Sequence, residues 1–91
     1  MKETRVKELI FISREGRFCK ELHEVGVRIA YYRRRRELSQ EALAEAVGIS
    51  KSYLSKIERA DVKGLSLITL LDIASALDVQ IGDLMKFDEL L

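Results

Sequence analysis

Residues 40–59 read QEALAEAVGISKSYLSKIER, and this stretch decides the fold. Ser39 and Ser50 each precede a short run with apolar residues at helical spacing, which is the usual position of a helix N-cap. Gly48 separates the two runs, where a tight turn needs a residue that adopts positive φ without steric cost. Ala44 supplies the small side chain that two steeply crossing helices need at their contact. The stretch therefore predicts a helix-turn-helix. The apolar residues expected to fill the angle between its helices are Leu43, Val47, Ile49, Leu54 and Ile57.

Apolar periodicity extends this all-α prediction to both sides of the motif. Leu22, Val25, Ile29 and Tyr32 recur at spacings of three and four, as on one face of a helix. Similar spacing recurs after Ser66 and again from Ile81 to the end of the chain. We therefore predict five helices and no strand in residues 21–91. Their predicted spans are 21–36, 40–48, 50–59, 67–77 and 81–90.

Residues 1–20 form a predicted N-terminal extension to the domain at 21–91. Residues 9–12 read LIFI, which is too apolar for a free tail, so we expect the extension to pack on another surface and to be able to join an interface. Two local structures fit. One is a helix that ends at Gly16. The other is a hairpin with its turn at residues 14–17.

Length and composition favour one small domain without a prosthetic group. The chain has 91 residues, 47% hydrophobic and 34% charged. Its longest apolar run, residues 9–12, is shorter than the ~20 residues of a membrane span or the ~7–15 of a signal peptide. Cys19 and His23 are the only cysteine and histidine, too few for a zinc site or an intrachain disulfide. We expect a cytoplasmic chain that is not an enzyme, with no metal, cofactor, membrane contact or small-molecule ligand.

Charge is distributed unevenly along the chain. The formal net charge is +1, but residues 1–20 carry six bases against three acids and residues 21–63 carry nine against seven. Residues 64–91 carry one base, Lys86, against five acids. The basic first two thirds are compatible with a polyanionic partner in spite of the near-neutral total.

Residues 24–86 resemble the phage repressor/Cro-like family of helix-turn-helix regulators, also called the XRE family. The matching motifs are 27–33 (VRIAYYR), 38–44 (LSQEALA), 48–50 (GIS), 54–59 (LSKIER) and 66–77 (SLITLLDIASAL). The resemblance implies a five-helix, lambda-repressor-like domain that binds double-stranded DNA in a sequence-specific manner. It also implies a small homodimeric transcriptional regulator on a palindromic operator, with helix 50–59 in the major groove.

The resemblance assigns site residues one by one. The positions that read bases in the family are occupied by residues on the outward face of helix 50–59, where lysine can donate to guanine. These family positions are Ser50, Lys51, Ser52 and Lys56. Ser55 lies on the same outward face, and we expect it to contact bases as well. Gln40 stands where family members bind phosphate, and Tyr53, Arg59 and Lys63 are further expected phosphate-contacting residues. The alternative for Tyr53 is a place at the edge of the core. Arg33 matches a family position that pairs with Glu58, and we expect a structural ion pair between them.

Three positions depart from the family pattern. Glu37 and Ala60 stand where family members commonly have glycine, and the turn at Glu37 should be strained or differently shaped. Gln80 stands where the fifth helix is commonly capped by serine or threonine, which are stronger caps.

An excess of large apolar residues at the chain end predicts a dimer interface. Its expected members are Leu84, Phe87, Leu90 and Leu91. An alternative function is a protein-interaction module, similar to an antitoxin, that retains the fold with little DNA binding. Lys51 and Lys56 argue against that alternative, because a surface that no longer contacts DNA would not need them.

Overall fold

A computed structural model describes residues 18–87 of the chain. These residues form five helices and no strand, which confirms the all-α prediction. The helices are α1 (Cys19–Arg35), α2 (Gln40–Val47), α3 (Lys51–Glu58), α4 (Leu67–Leu77) and α5 (Ile81–Leu84). Residues 1–17, with their predicted helix or hairpin, lie outside the described residues. So do Leu90 and Leu91, which were predicted to join a dimer interface. Within the described part, none of the helices has the length and apolar character needed to cross a membrane.

Three serines begin the central helices through the same local contact. The Oγ atoms of Ser39, Ser50 and Ser66 accept the backbone N–H three residues ahead, at 2.9, 3.0 and 3.1 Å. Each contact satisfies one of the N–H groups that a helix start leaves without an intrahelical partner. Gly48 ends α2 in the left-handed region, with φ of 86°. The predicted capping of the helix-turn-helix is therefore confirmed.

The two outer helices differ from their predicted lengths. α1 begins at Cys19, inside the predicted extension, and α5 ends at Leu84 instead of continuing to residue 90. Met85 leaves the helix with φ of −123° and ψ of 44°. The prediction was wrong over residues 85–87 because Met85 and Phe87 were taken as part of a helical face. These side chains instead line an open groove beside α1.

All five helices contribute to one core, which includes Leu84, a fully buried residue (0% exposed). This burial contradicts its assignment to a dimer interface, since a side chain enclosed within one subunit cannot contact another. Phe87 is partly buried against the same core. The remaining buried apolar residues are Val25, Ile29, Ala30, Leu43, Ala44, Leu54, Ile57, Leu70, Ile73, Ala74 and Leu77.

Three turns place a residue other than glycine in the left-handed region. Glu37, Ala60 and Asp78 each have φ of 58°. Left-handed backbone costs about 1–2 kcal/mol for a residue with a Cβ atom. At Glu37 and Ala60, where the resembled family commonly has glycine, the turn is therefore strained and not reshaped.

Candidate nucleic-acid interface

The outward face of α3 is exposed because its other face is anchored in the core. Leu54 and Ile57 are buried at a spacing of three residues, which fixes the rotation of the helix. Lys51, Ser52 and Lys56 consequently lie in solvent, and Ser55 is half-buried. Within the described residues neither lysine forms an ion pair. Both ammonium groups are thus free to bind an anion or a hydrogen-bond acceptor.

Ser50 caps α3 and is also one of the residues predicted to contact bases. Its Oγ already accepts the backbone N–H of Tyr53 at 3.0 Å. A hydroxyl has one hydrogen to donate in addition to its acceptor lone pairs, so the cap leaves the donor of Ser50 available. Because the cap uses one of the two lone pairs, the hydroxyl of Ser50 can still donate one hydrogen bond and accept another.

The residues expected to contact phosphate are spread around α3. Tyr53 is half-buried and packs against the core. Arg59 follows the last residue of α3 and is exposed, with its Nη1 atom 3.9 Å from a carboxylate oxygen of Asp61. Lys63 is exposed in the loop that leads to α4.

Arg33 and Glu58 are brought together as the sequence predicts. Arg33 Nε donates to Glu58 Oε2 at 2.7 Å, and Nη2 donates to Oε1 at 3.1 Å. Nη1 donates to the backbone carbonyl of Leu38 at 2.8 Å. The two side chains are only 10% and 6% exposed, so this bidentate pair joins α1 to the end of α3 away from water.

Gln40 joins the same network, which the sequence did not reveal. Its Nε2 donates to Glu58 Oε1 at 2.9 Å. This contact uses one of the two amide hydrogens and holds the side chain at the N-terminus of α2. Glu58 therefore orients a residue expected to contact phosphate while it also anchors α3.

Gly26 was also missed as a residue that positions α3. A Cβ atom there would lie 2.6 Å from the carbonyl oxygens of both Ile57 and Glu58. Glycine lowers helix stability by about 1 kcal/mol relative to alanine, so its presence inside α1 is a signal of close backbone approach. The sequence therefore indicated a close backbone contact at Gly26, but it did not indicate which helix makes that contact.

Two arginines near the end of α1 have partners within the domain. Arg36 Nη2 donates to the carbonyl of Asp78 at 3.2 Å and lies 3.6 Å from its carboxylate. Arg35 lies over the ring of Tyr31, with its guanidinium carbon 5.6 Å from the ring centroid. The consecutive arginines at 33–36 therefore fan around the helix and do not make one basic patch.

This arrangement defines a helix-turn-helix domain: α2 and α3 are short and capped, Gly48 makes the turn between them, and α3 has an exposed outward face. A family model for helix-turn-helix proteins matches residues 29–84, more than half of the chain. The chain belongs to this family and is of its phage repressor/Cro-like (XRE) type.

Relatives and solved structures agree with this membership. The immunity repressor protein of Bacillus phage phi105 is 42% identical over 67 residues, which cover 74% of this chain and 46% of that protein. The chain spans about half the length of the curated relatives it matches.

Two crystal structures are similar over most of their own length. The restriction-modification controller protein C.AhdI from Aeromonas hydrophila matches with a TM-score of 0.69 and 35% identity, over 72% of this chain and 98% of that chain. SinR, a master regulator for biofilm formation, was solved in complex with DNA. It matches with a TM-score of 0.63 and 40% identity, over 66% of this chain and 95% of that chain.

Proposed function

We propose that this protein is a sequence-specific, double-stranded DNA-binding transcriptional regulator that acts as a homodimer. The observation that carries the proposal is the exposed face of α3, where Lys51 and Lys56 have no acidic partner within the described residues. The similarity to SinR in complex with DNA supports it.

In this proposal α3 enters the major groove, which is wide enough to admit an α-helix. Residues at the start of such a helix contact base edges. Lys51 and Lys56 donate to guanine O6 and N7, and the serine hydroxyls of Ser50, Ser52 and Ser55 contribute further hydrogen bonds. This face has no asparagine or glutamine for bidentate contact with adenine, so we expect a preference for guanine where the lysines lie.

Phosphate contacts would set the position of α3 over the bases. The first turn of α2 has free backbone N–H groups and the positive end of the helix dipole, which together favour an anion. Gln40 lies at this end, and its remaining amide hydrogen would donate to a phosphate oxygen. Arg59 and Lys63 supply positive charge near the other end of α3.

We place the proposed dimer interface on α4, because Leu84, one of the four residues predicted at the chain end, is buried. The prediction for Leu90 and Leu91 concerns residues outside the described range and stays a prediction. Leu67, Ile68 and Leu71 are 62%, 69% and 43% exposed at the start of α4. Exposed apolar residues grouped in this way typically mark an interface. We propose that a second copy of the chain covers them, since a palindromic operator is matched by two subunits related by a two-fold axis.

Selection of bound sequences from a pool of random duplex DNA tests this function. The full chain should enrich one sequence family made of two inverted half-sites about one helical turn apart. Failure to enrich any sequence would reject sequence-specific DNA binding and favour the alternative, a protein-interaction module that retains the fold.

A further inference from the structure

An open apolar groove of about 430 Å³ lies where the start of α1 meets α4 and the residues after α5. Among residues 18–87, Glu21 is the only charged residue that lines it. An apolar cavity of ~150 Å³ already holds a benzene ring, so the groove has room for more than one large side chain. The apolar lining includes Phe18, Leu22, Leu65, Leu70, Met85 and Phe87.

Both ends of the described chain reach this groove, since Phe18 and Phe87 line it. Seventeen residues precede Phe18, and four of them form the longest apolar run of the chain, LIFI at 9–12. We propose that the groove binds residues 9–12 of the same chain. The N-terminal extension would then be an integral part of the domain.

Chain length and charge support this occupant. Residues 13–17 connect the apolar run to Phe18, and a fully extended chain of that length reaches at most ~20 Å. Gly16 lies in this connection, and a glycine there would permit the backbone conformations that a return of the chain to the groove requires. Arg14 and Arg17 would be brought close to Glu21, the acidic residue of the groove.

The other segment that leaves the groove is a weaker candidate. Residues 88–91 contain two apolar residues, Leu90 and Leu91, directly after two acids. The run at 9–12 offers four large apolar side chains without an intervening charge, and burial of apolar area is what drives such packing. A second copy of the chain is the remaining alternative, and the experiments below separate it from the proposal.

Photo-crosslinking of the full chain tests which surface holds the run. With Phe11 replaced by p-benzoylphenylalanine, we expect irradiation to join position 11 to Leu22, Leu65 or Met85 within a single chain. The same substitution at Lys2 is the matched control and should give much less of this product. Crosslinks between two chains, crosslinks to other surfaces, or a yield no higher than the Lys2 control would each overturn the proposal.

Methyl NMR of the full chain supplies a second measurement that does not depend on crosslinking or on DNA. Phe11→Ser should shift the methyl resonances of Leu22, Leu65 and Leu70, because the aromatic ring that shields them is removed. Methyl groups of Leu54 and Ile57 in α3 report whether the domain stays folded and should not move, and Glu3→Ser is the control. The proposal is wrong if Phe11→Ser leaves the groove methyls in place, or if only Leu90→Ser with Leu91→Ser moves them.

Discussion

Gly26 in α1 lies directly against the backbone of Glu58, the last residue of α3, with room for no Cβ atom between them. Arg33 lies seven residues further along α1, on the same helical face, and holds the side chain of Glu58 by two hydrogen bonds. One face of α1 therefore binds both the backbone and the side chain of Glu58. This contact fixes the end of the helix that is proposed to read DNA.

Gly26→Ala should lower the free energy of unfolding by about 1–3 kcal/mol, because the added methyl would meet two carbonyl oxygens that belong to rigid backbone. Urea denaturation followed by circular dichroism measures the change. Gly82→Ala is the matched control. A Cβ at Gly82 would meet nothing within 4 Å, so that variant should be neutral or slightly more stable. Equal stability of the two variants would mean that α1 and α3 do not approach as closely as described.

Arg33→Ala should lower the free energy of unfolding by about 3–5 kcal/mol, because removal of one partner leaves the buried Glu58 carboxylate without its counter-charge. Arg33→Lys should recover little of this loss, since an ammonium group cannot reproduce the bidentate geometry. The exposed neighbour Arg34, changed to alanine, serves as the control. A midpoint of urea unfolding for Arg33→Ala that matches the parent would contradict the buried pair.

Glu37→Gly should raise the free energy of unfolding by about 0.5–1 kcal/mol. Glycine relieves the left-handed strain at φ of 58° but loses more chain entropy on folding, which offsets part of the gain. Glu45→Gly, the same change at an exposed site inside α2, should instead destabilise by about 1 kcal/mol. Thermal melts of both variants measure the change in stability, which should be positive for Glu37→Gly and negative for Glu45→Gly. Destabilisation by Glu37→Gly would be inconsistent with the described turn.

Ile68→Asp combined with Leu71→Asp should convert the proposed dimer to a monomer, because each carboxylate would be buried without a partner at the interface. Both positions are exposed in the single chain, so the variant should fold normally. Sedimentation at micromolar concentration measures the change, with Ala46→Asp at an exposed site on α2 as the control. A dimer that persists would place the interface on another surface.

Local chemistry explains which parts of the fold could be predicted from the sequence. The start of α2 and the turn at Gly48 depend on Ser39 and on one glycine, so short-range rules place them correctly. The end of α5 could not be placed this way. Apolar periodicity does not distinguish a side chain on a helical face from one that packs on the core from non-helical backbone, as Phe87 does.

Contacts between distant residues explain what was missed. Leu84 is a large apolar residue near the chain end, which fits an interface as well as a core. Only the packing of α5 on α1 shows that it belongs to the core. The hydrogen bond from Gln40 to Glu58 spans 18 residues and has no sequence signature. The proposal that α3 reads bases is supported by the exposure of its outward face and not by an observed contact with DNA. It therefore stays a prediction.

The most direct test of that role is the discrimination between a selected duplex and a scrambled duplex of the same composition. Lys51→Ala and Lys56→Ala should each weaken binding to the selected duplex by about 5- to 100-fold at fixed salt, with a smaller loss on the scrambled one. Lys86→Ala, an exposed lysine beyond α5, should change neither affinity. Equal losses on both duplexes would assign the lysines to phosphate contacts and contradict the proposal that α3 reads bases through them.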